Sequence, residues 1–281
     1  MDVTKNAERF MGFADVYHKA RPRSPRFVSE CLVNYLGHFP QRVVDLGCGT
    51  GLSTQMWAKA AGDVIGVDPS PDMLSYAQEH CGRQPNIQFV QAFAHETGLE
   101  PECADIVACS QSFHWMEPET TLQEVNRILK PGGIFAVYDC DWPPVCGRQA
   151  EEAYNDLKRK LADLANATKD YWESFQRWEK GEHLARIRES GYFGYTREIV
   201  FANREECDAQ RFIQLALSQG GLQTMLRLEP EIVRLCMARF EKRVKEIFED
   251  EIFTVEFCYR MRIGIKDEVN EPATGGTTVK S

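Results

Sequence analysis

A turn with glycine at every second position follows one acidic residue, and the next apolar run ends in a second acidic residue. The run Val43-Val44 leads into Asp45-Leu46-Gly47-Cys48-Gly49-Thr50-Gly51, and a second apolar run ends in Asp68. Glycines allow a tight bend and a close approach of the backbone to a ligand, and the helix that follows offers unpaired N–H groups at its positive end. An acid at the end of the second strand can accept both hydroxyls of a ribose. The pattern therefore predicts a nucleoside-cofactor site.

The spacing of the glycines separates two classes of cofactor. Dinucleotide sites favour G-x-G-x-x-G, in which the helix N-terminus meets a pyrophosphate, whereas this chain has G-x-G-x-G preceded by Asp45. The segment Asp45-Leu46-Gly47-Cys48-Gly49-Thr50-Gly51 resembles the class I S-adenosylmethionine (SAM) methyltransferases, where it forms the floor under the methionine part of the cofactor. The resemblance implies SAM as cofactor and S-adenosylhomocysteine as product. The alternative is a glycine turn inside an ordinary α/β domain.

Further motifs extend the resemblance over most of the first 140 residues. Phe13 to Pro22 is similar to the Y-x-x-x-R-P segment of small-molecule methyltransferases in the methyltransferase-11 group. Phe89 to Glu96 resembles their third-strand exit, which lies along the adenine. Asp105 to Trp115 resembles their fourth-strand exit, with a His-Trp pair as in trans-aconitate methyltransferase and its relatives, and Leu129-Lys130-Pro131-Gly132-Gly133 matches their L-K-P-G-G turn. Past residue 145 no motif of the family is present.

Composition and charge exclude several other classes of protein. The formal net charge of −9 disfavours an extended nucleic-acid surface, which needs clustered Lys and Arg. The first 13 residues lack the pattern of a signal peptide, and no apolar stretch approaches membrane-spanning length, so we expect no membrane partner and a cytoplasmic protein. The ten cysteines are scattered without a C-x-x-C pair, so we expect neither disulfides nor a metal site, even at Cys140 and Cys146.

Short apolar runs alternate with helical periodicity as far as Tyr138. The pattern predicts strands at 42–46, 64–67, 87–90, 104–110 and 134–138. It predicts helices at 26–36, 52–61, 71–79 with Ser70 as N-cap, and 119–129, the last stopped by Lys130-Pro131-Gly132-Gly133. The alternation predicts an α/β protein whose ligand lies at the carboxyl ends of the strands. Together with the resemblance, it indicates a Rossmann-like, seven-stranded methyltransferase sheet, mainly parallel with an antiparallel last strand.

The pattern changes after Asp141, where apolar residues recur at helical spacing from 149 to 165. We expect a helical cap insertion that closes a substrate pocket; a helix pair that only packs on the sheet is the alternative. A sixth strand at 196–202, helices at 205–217 and 230–248, and an antiparallel seventh strand at 253–265 should follow. The expected organisation is a SAM-binding core with an N-terminal lid segment at 1–141, a cap at 142–195, the C-terminal part of the sheet at 196–266 and a disordered tail at 267–281.

The chemistry of SAM and the resemblance assign roles to the candidate site. Gly47, Gly49 and Gly51 supply close backbone, Asp68 holds the ribose, and Met73 lies against the adenine. Asp45 either holds the methionine ammonium through water or orients the turn. Arg21 pairs with the methionine carboxylate or forms a surface ion pair, and Tyr17 closes over the cofactor or packs as core. The predicted cofactor-binding residues are Tyr17, Arg21, Asp45, Gly47, Cys48, Gly49, Gly51, Asp68, Pro69, Met73, Ala94, His95, Ser110 and Gln111.

The expected activity is methyl transfer from SAM to a small-molecule acceptor, at a carboxylate or hydroxyl oxygen. A carboxylate needs no general base, whereas a phenol, amine or carbon acid does, and His114 is the candidate base; otherwise it is a pocket-wall histidine bonded to backbone. Trp115 and Trp142 are expected to form walls of the acceptor pocket. The alternatives are a C- or N-methyltransferase of a ring metabolite, a SAM-binding protein without activity and, disfavoured by the glycine spacing, an NAD-dependent oxidoreductase. The acceptor and the oligomeric state stay open.

Overall fold

Over the residues that it describes, which are Asn6, Gly12, 14–169 and 171–268, the computed structural model has one sheet of seven strands. The strands are β1 Arg42–Leu46, β2 Asp63–Asp68, β3 Ile87–Gln91, β4 Ala104–Ser110, β5 Leu129–Cys140, β6 Phe193–Cys207 and β7 Phe253–Lys266. Their spatial order is β3-β2-β1-β4-β5-β7-β6. Neighbours among β1 to β5 are parallel, and β7 is antiparallel to both β5 and β6. The predicted α/β sheet with an antiparallel last strand is therefore confirmed.

Helices connect these strands and cover the sheet. They are α1 Ala14–Ala20, α2 Arg26–Leu36, α3 Thr54–Trp57, α4 Pro71–Cys81, α5 Pro118–Ile128, α6 Arg148–Ala167, α7 His183–Glu189, α8 Ala209–Leu217, α9 Gly220–Leu228 and α10 Pro230–Phe248. Short 3₁₀ turns are present at Phe113–Trp115 and Lys180–Glu182. The Ser70 side chain accepts a hydrogen bond from the Met73 N–H, so the predicted N-cap of α4 is confirmed.

The strand order creates a crevice beside the carboxyl end of β1. From β1 the chain first adds β2 and β3 on one side, and then crosses to add β4 and β5 on the other. Ligands of open α/β sheets bind at such a reversal, because the loops on the two sides turn away from each other. The glycine turn after β1 and the segment after β4 therefore meet at one edge of the sheet.

The core lies on both faces of the sheet. Consecutive residues of β1 point in opposite directions, so Val43 belongs to one buried cluster and Val44 to the other. In β4, Ile106 likewise belongs to the first cluster and Val107 to the second. Central parallel strands that are covered on both faces are expected to contain continuous apolar runs, as Val43-Val44 of β1 and Ile106 to Cys109 of β4 are.

Several element boundaries differ from the sequence prediction, three of them for reasons that the structure shows. Strand β5 begins at Leu129, the predicted last residue of a helix, instead of at residue 134, because Leu129 pairs with Ala104 of β4. Helix α3 is only four residues long instead of the predicted span 52–61. Helix α8 begins after Asp208, whose side chain accepts from the Arg211 N–H, and residues 205–207 extend β6 instead.

The segment predicted as a cap contains α6, the 3₁₀ turn Lys180–Glu182 and α7, before β6 starts at Phe193. The division into core and cap stays a prediction. The predicted disordered tail lies outside the described residues from position 269 onward. Among the described helices, none has the length and apolar character needed to cross a membrane. The cytoplasmic location stays a prediction.

Candidate active site

The glycine turn after β1 is held against the end of β2. The N–H groups of Gly47 and Cys48 both donate to the Val67 carbonyl, at 2.7 and 3.1 Å. Gly47, Gly49 and Gly51 have φ angles of +67°, +53° and +80°, a region that favours glycine. A Cβ on Gly47 would lie 2.6 Å from Ser112 Cβ. The turn therefore requires glycine both for its conformation and for its contact with the segment after β4.

Asp68 connects the end of β2 to the glycine turn. Its Oδ2 accepts from the Gly49 N–H at 2.9 Å, and its Oδ1 accepts from the Ser70 N–H at 2.9 Å. The residue is 9% exposed, and burial raises the pKa of its carboxyl to about 6 although both hydrogen bonds oppose the shift. Asp68 lines the cavity described below, and its contact with a ribose stays a prediction.

Asp45 lies behind the turn. It is 0% exposed, and its Oδ2 accepts from the hydroxyls of Ser53 and Thr54 at 2.7 Å each. Its Oδ1 is buried and has no hydrogen-bond partner among the described residues. Burial raises the pKa of Asp45 to about 6. This placement supports the interpretation that Asp45 orients the turn, by tying β1 to the start of α3, and its contact with an ammonium stays a prediction.

A cavity of about 250 Å³ opens at the carboxyl ends of the central strands. It brings together most of the residues predicted for the site. These are Tyr17, Arg21, Gly47, Gly49, Asp68, Pro69, Met73, Ala94, His95, Ser110, Gln111, His114, Trp115 and Trp142. Three residues predicted to bind the cofactor, Asp45, Cys48 and Gly51, do not line the cavity. A Cβ on Gly51 would lie 2.6 Å from Cys81 Sγ, so this glycine lies against α4.

Helix α1 and the residue that follows it cover one side of the cavity. The Arg21 guanidinium lies between the rings of Tyr17 and Trp142, 4.9 Å from each centroid. Its Nη2 donates to the Ser218 carbonyl at 3.1 Å, while its buried Nε has no partner among the described residues. Burial raises the pKa of the Tyr17 hydroxyl, and the nearby Arg21 charge partly offsets that shift. The geometry thus gives Arg21 one donor that an anionic ligand could use.

Aromatic side chains form the far end of the cavity. Trp115 and Phe175 meet edge to face with ring centroids 5.9 Å apart, and Tyr171 and Trp172 continue this wall. The Arg177 guanidinium carbon lies 5.7 Å from the centroid of Trp115. Such a wall offers apolar surface to a flat ligand beside a positive charge.

Asn6 forms hydrogen bonds with the backbone of two segments of this aromatic wall. Its Nδ2 donates to the carbonyls of Trp115 and Gln176, at 2.8 Å each, and its Oδ1 accepts from the Gln176 N–H at 3.0 Å. Asn6 therefore bridges the segment after β4 and the segment after α6.

His114 is buried beside Asp139, the eleventh residue of β5. His114 is 5% exposed, and its Nδ1 lies 3.6 Å from Asp139 Oδ1. Burial, with the charges of Lys180 and Arg177 in addition, holds the pKa of His114 well below its ordinary value. The imidazole is therefore neutral at pH 7, which a proton acceptor must be.

His114, Asp139 and His183 place one ligand atom each within 4.8 Å of one another. A metal ion would have to share the Asp139 carboxylate with Lys180, whose Nζ lies 2.7 Å away, and with Arg262 at 3.7 Å. These two positive charges oppose a bound cation. The expectation that no metal is needed stays a prediction.

Sequence reasoning missed the residues that the later half of the chain brings to the cavity. Arg177 and Lys180 lie on either side of Trp178 in a segment without a family motif, and Gln219-Gly220-Gly221 begin a helix that was not predicted. The available signals were the alternation of cations with aromatics at 171–180 and the Gly-Gly pair after a helix end. Neither pattern shows which part of the sheet these residues approach.

Residues 44–137 match the family model of the methyltransferase-11 group, which is described as a methyltransferase domain. The matched segment extends from β1 to β5 and contains the glycine turn, Asp68 and His114. This segment is a class I, SAM-dependent methyltransferase domain.

Curated relatives share the methyltransferase domain over part of their length. The chain is 31% identical over 126 residues to the "Probable S-adenosylmethionine-dependent methyltransferase CRG1" of Saccharomyces cerevisiae, a match that covers 43% of each chain. It is 29% identical over 160 residues to the demethylmenaquinone methyltransferase of Clavibacter sepedonicus, which covers 54% of this chain and 65% of that protein. The chain thus matches less than two thirds of the length of either relative.

The fold of the methyltransferase domain also occurs in solved structures. One is described as a "Putative Type II Methyltransferase" from Anaeromyxobacter dehalogenans and superposes with a TM-score of 0.66 at 18% identity, over 89% of this chain and 99% of that chain. The YcgJ protein of Bacillus subtilis superposes with a TM-score of 0.50 at 17% identity, over 84% of this chain and 99% of that chain. At these identities the likeness concerns the fold. The finer resemblance to trans-aconitate methyltransferases stays a prediction.

Proposed function

We propose that this protein transfers the methyl group of SAM to an oxygen of a small-molecule acceptor. One observation carries the proposal: the glycine turn with Asp68 and the aromatic wall with His114 line the same cavity. A cofactor held by the first set would therefore lie beside an acceptor held by the second. The acceptor side is closed by side chains of α1, of the segment after α6 and of the turn before α9.

The residues present fit SAM. A Cβ on Gly47 would clash with Ser112, and a Cβ on Gly49 would narrow the site. Asp68 offers a carboxylate at the end of β2. The buried Nε–H of Arg21 has no partner among the described residues and can donate to a carboxylate of the ligand. SAM supplies a methyl group on a positively charged sulfur with a good neutral leaving group. The chain contributes alignment of the acceptor and exclusion of water, which can supply much of the rate.

An oxygen acceptor agrees with the charges at the far end of the cavity. Arg177 beside Trp115 and Lys180, which also pairs with Asp139, line the cavity, although the chain as a whole carries a formal net charge of −9. These cations stabilise an oxygen that is negative, either as a carboxylate or as a hydroxyl that loses its proton. The same net charge disfavours a nucleic-acid acceptor.

A second candidate is methyl transfer to carbon or nitrogen of a ring metabolite. The specific observation in its favour is His114, a buried neutral imidazole beside Asp139, because such acceptors also need a base. A SAM-binding protein without activity would share the cofactor half of the site and would bind SAM without turnover.

Calorimetric titration with S-adenosylhomocysteine, with NAD as the matched control, tests the cofactor half. We expect saturable one-site binding of S-adenosylhomocysteine alone. The acceptor half is tested by incubation with SAM and pools of hydroxyl, carboxyl and ring-nitrogen acceptors, with release of S-adenosylhomocysteine as the readout. Preference for NAD would overturn the proposal, and binding without any turnover would favour the inactive SAM-binding protein.

A further inference from the structure

Asp139 lies at the centre of four possible donors that come from three parts of the chain. Its Oδ1 faces His114 Nδ1 at 3.6 Å and Lys180 Nζ at 2.7 Å. Its Oδ2 faces His183 Nε2 at 3.7 Å and Arg262 Nη1 at 3.7 Å. Each carboxylate oxygen thus has one imidazole and one cation beside it, and the residue is only 3% exposed.

Lys180 and Arg262 balance the negative charge of the Asp139 carboxylate. Lys180 belongs to the 3₁₀ turn before α7, and Arg262 of β7 also pairs with Glu198 at 2.8 Å. Because Lys180 and Arg262 are positive, neither imidazole has to be protonated for the carboxylate to be paired. Burial lowers the pKa of His183 to about 4 as well, so both rings are neutral at pH 7.

A neutral imidazole carries its proton on one of its two nitrogens, and the groups beside the two nitrogens decide which nitrogen is protonated. His114 Nδ1 is buried and faces a carboxylate, which can only accept a hydrogen bond. The proton therefore belongs on Nδ1. Nε2, which is not among the buried unpartnered atoms, is left as the acceptor of a residue that lines the cavity. At 3.6 Å this contact is longer than a hydrogen bond, so the carboxylate selects the tautomer through its negative charge.

We propose that Asp139 is a positioning residue that fixes His114 with a bare Nε2 toward the acceptor, and that the acceptor reacts through a hydroxyl on an aromatic ring. This inference rests on the proposed function and narrows its acceptor. A carboxylate would bring no proton for Nε2 to take, whereas a hydroxyl would. The wall of Trp115 and Phe175 matches a flat ring, and Arg177 beside Trp115 stabilises the oxygen as it loses its proton.

The reaction step balances without a further reactant. The hydroxyl proton passes to His114 Nε2 while the oxygen forms its bond to the methyl carbon. The electron pair of the broken carbon–sulfur bond stays on sulfur, which leaves neutral S-adenosylhomocysteine. The imidazolium then returns the proton to water, assisted by the lowered pKa of His114.

The tautomer of His114 can be read without any turnover, from long-range ¹H–¹⁵N spectra of the full chain saturated with S-adenosylhomocysteine at pH 7. His114 is assigned by comparison with His114→Asn. We expect Nδ1 to be protonated in the wild-type protein, and Asp139→Asn to shift the proton at least partly to Nε2, because an amide can also donate. Lys180→Met is the matched control: it removes a cation from the same carboxylate oxygen and should leave the proton on Nδ1.

An Nε2–H tautomer in the wild-type protein would overturn the inference, as would an equal shift in Asp139→Asn and Lys180→Met. If Asp139→Asn does not fold, the position of the proton on His114 in the wild-type protein tests the inference by itself. Failure of the proposed function is distinguishable, because it would be seen as absence of S-adenosylhomocysteine binding whatever the tautomer.

The hydroxyl acceptor is tested by binding of 2-naphthol and naphthalene to the same complex. Their rings are alike, and only 2-naphthol can donate to Nε2. We expect 2-naphthol to bind with about tenfold higher affinity than naphthalene, because one hydrogen bond contributes about that much. It should also shift the His114 Nε2 resonance. Equal binding of the two probes, including no binding of either, would contradict a hydroxyl acceptor.

Discussion

Asp68 Oδ2 accepts a hydrogen bond from the Gly49 N–H across 2.9 Å, so the acid at the end of β2 holds the glycine turn at the end of β1. The parallel register, in which Leu46 is opposite Val67, brings the two strand ends level. One carboxylate therefore shapes the turn and also lines the cavity. Loss of Asp68 should affect cofactor binding in two ways at once.

The first prediction concerns the division of roles between Asp68 and His114. Asp68→Asn places an amide where two backbone N–H groups donate, so we expect S-adenosylhomocysteine affinity to fall by about tenfold or more. His114→Gln should change it by less than about threefold. Calorimetry measures both, with Asp63→Asn at the exposed start of the same strand as the control. Equal losses in Asp68→Asn and His114→Gln would contradict this division.

The second prediction compares two glycines of the turn. Both have positive φ, so an alanine at either position costs about 1–2 kcal/mol of conformational strain. Gly47→Ala also clashes with Ser112, whereas nothing lies within 4 Å of a Cβ on Gly49. We expect Gly47→Ala to unfold at clearly lower denaturant concentration than Gly49→Ala, and Gly49→Ala to lose S-adenosylhomocysteine affinity because its methyl group projects into the cavity. Identical unfolding midpoints would argue against the contact with Ser112.

The third prediction is a pH dependence of cofactor binding. Because burial raises the pKa of Asp68 to about 6, S-adenosylhomocysteine affinity should fall as the pH drops through about 6, where the carboxyl gains a proton and no longer accepts two ribose hydroxyls. The fall should be much smaller in Asp68→Asn. For the free protein the sign is opposite: a folded pKa above the ordinary 3.8 contributes stability at low pH that is lost as the pH rises through about 6. Titrations between pH 5 and 8 measure the affinity.

The fourth prediction concerns stability away from the cavity. Glu124 of α5 accepts from the Thr97 N–H at 3.0 Å and from Arg127 Nε at 2.7 Å. Burial opposes ionisation, but these hydrogen bonds outweigh it and lower the pKa of Glu124. We expect Glu124→Gln to reduce the free energy of unfolding by about 2 kcal/mol.

The contribution of Glu124 should be present above its ordinary pKa of 4.5 and be lost as the pH falls through its lowered folded value. Exposed Glu119→Gln on the same helix is the control and should change stability by less than about 0.5 kcal/mol. Urea unfolding at pH 7 and pH 4 measures both variants. A Glu124→Gln effect that is undiminished at pH 4 would show that charge does not carry this interaction.

The sequence by itself determined the order of strands and helices up to β5, the glycine turn and the acid at Asp68. These features are local, because a short apolar run, a glycine at positive φ or an N-cap such as Ser70 depends on residues next to one another. The alternation of strands and helices also predicted that the ends of β1 and β4 lie at one edge of a parallel sheet, since the crossover rules leave few other arrangements.

Only the tertiary structure decided which side chains meet there. Asp45 is in the glycine motif, yet pairing with Ser53 and Thr54 places it behind the turn. Asp139 carries no motif, yet the alignment of β5 beside β4 places its carboxylate next to His114. Lys180 reaches the same carboxylate from a segment without recognisable pattern. The contacts of Asp139 join residues far apart in the chain, and they depend on how helices pack across the sheet, which hydrophobic periodicity in one segment does not specify.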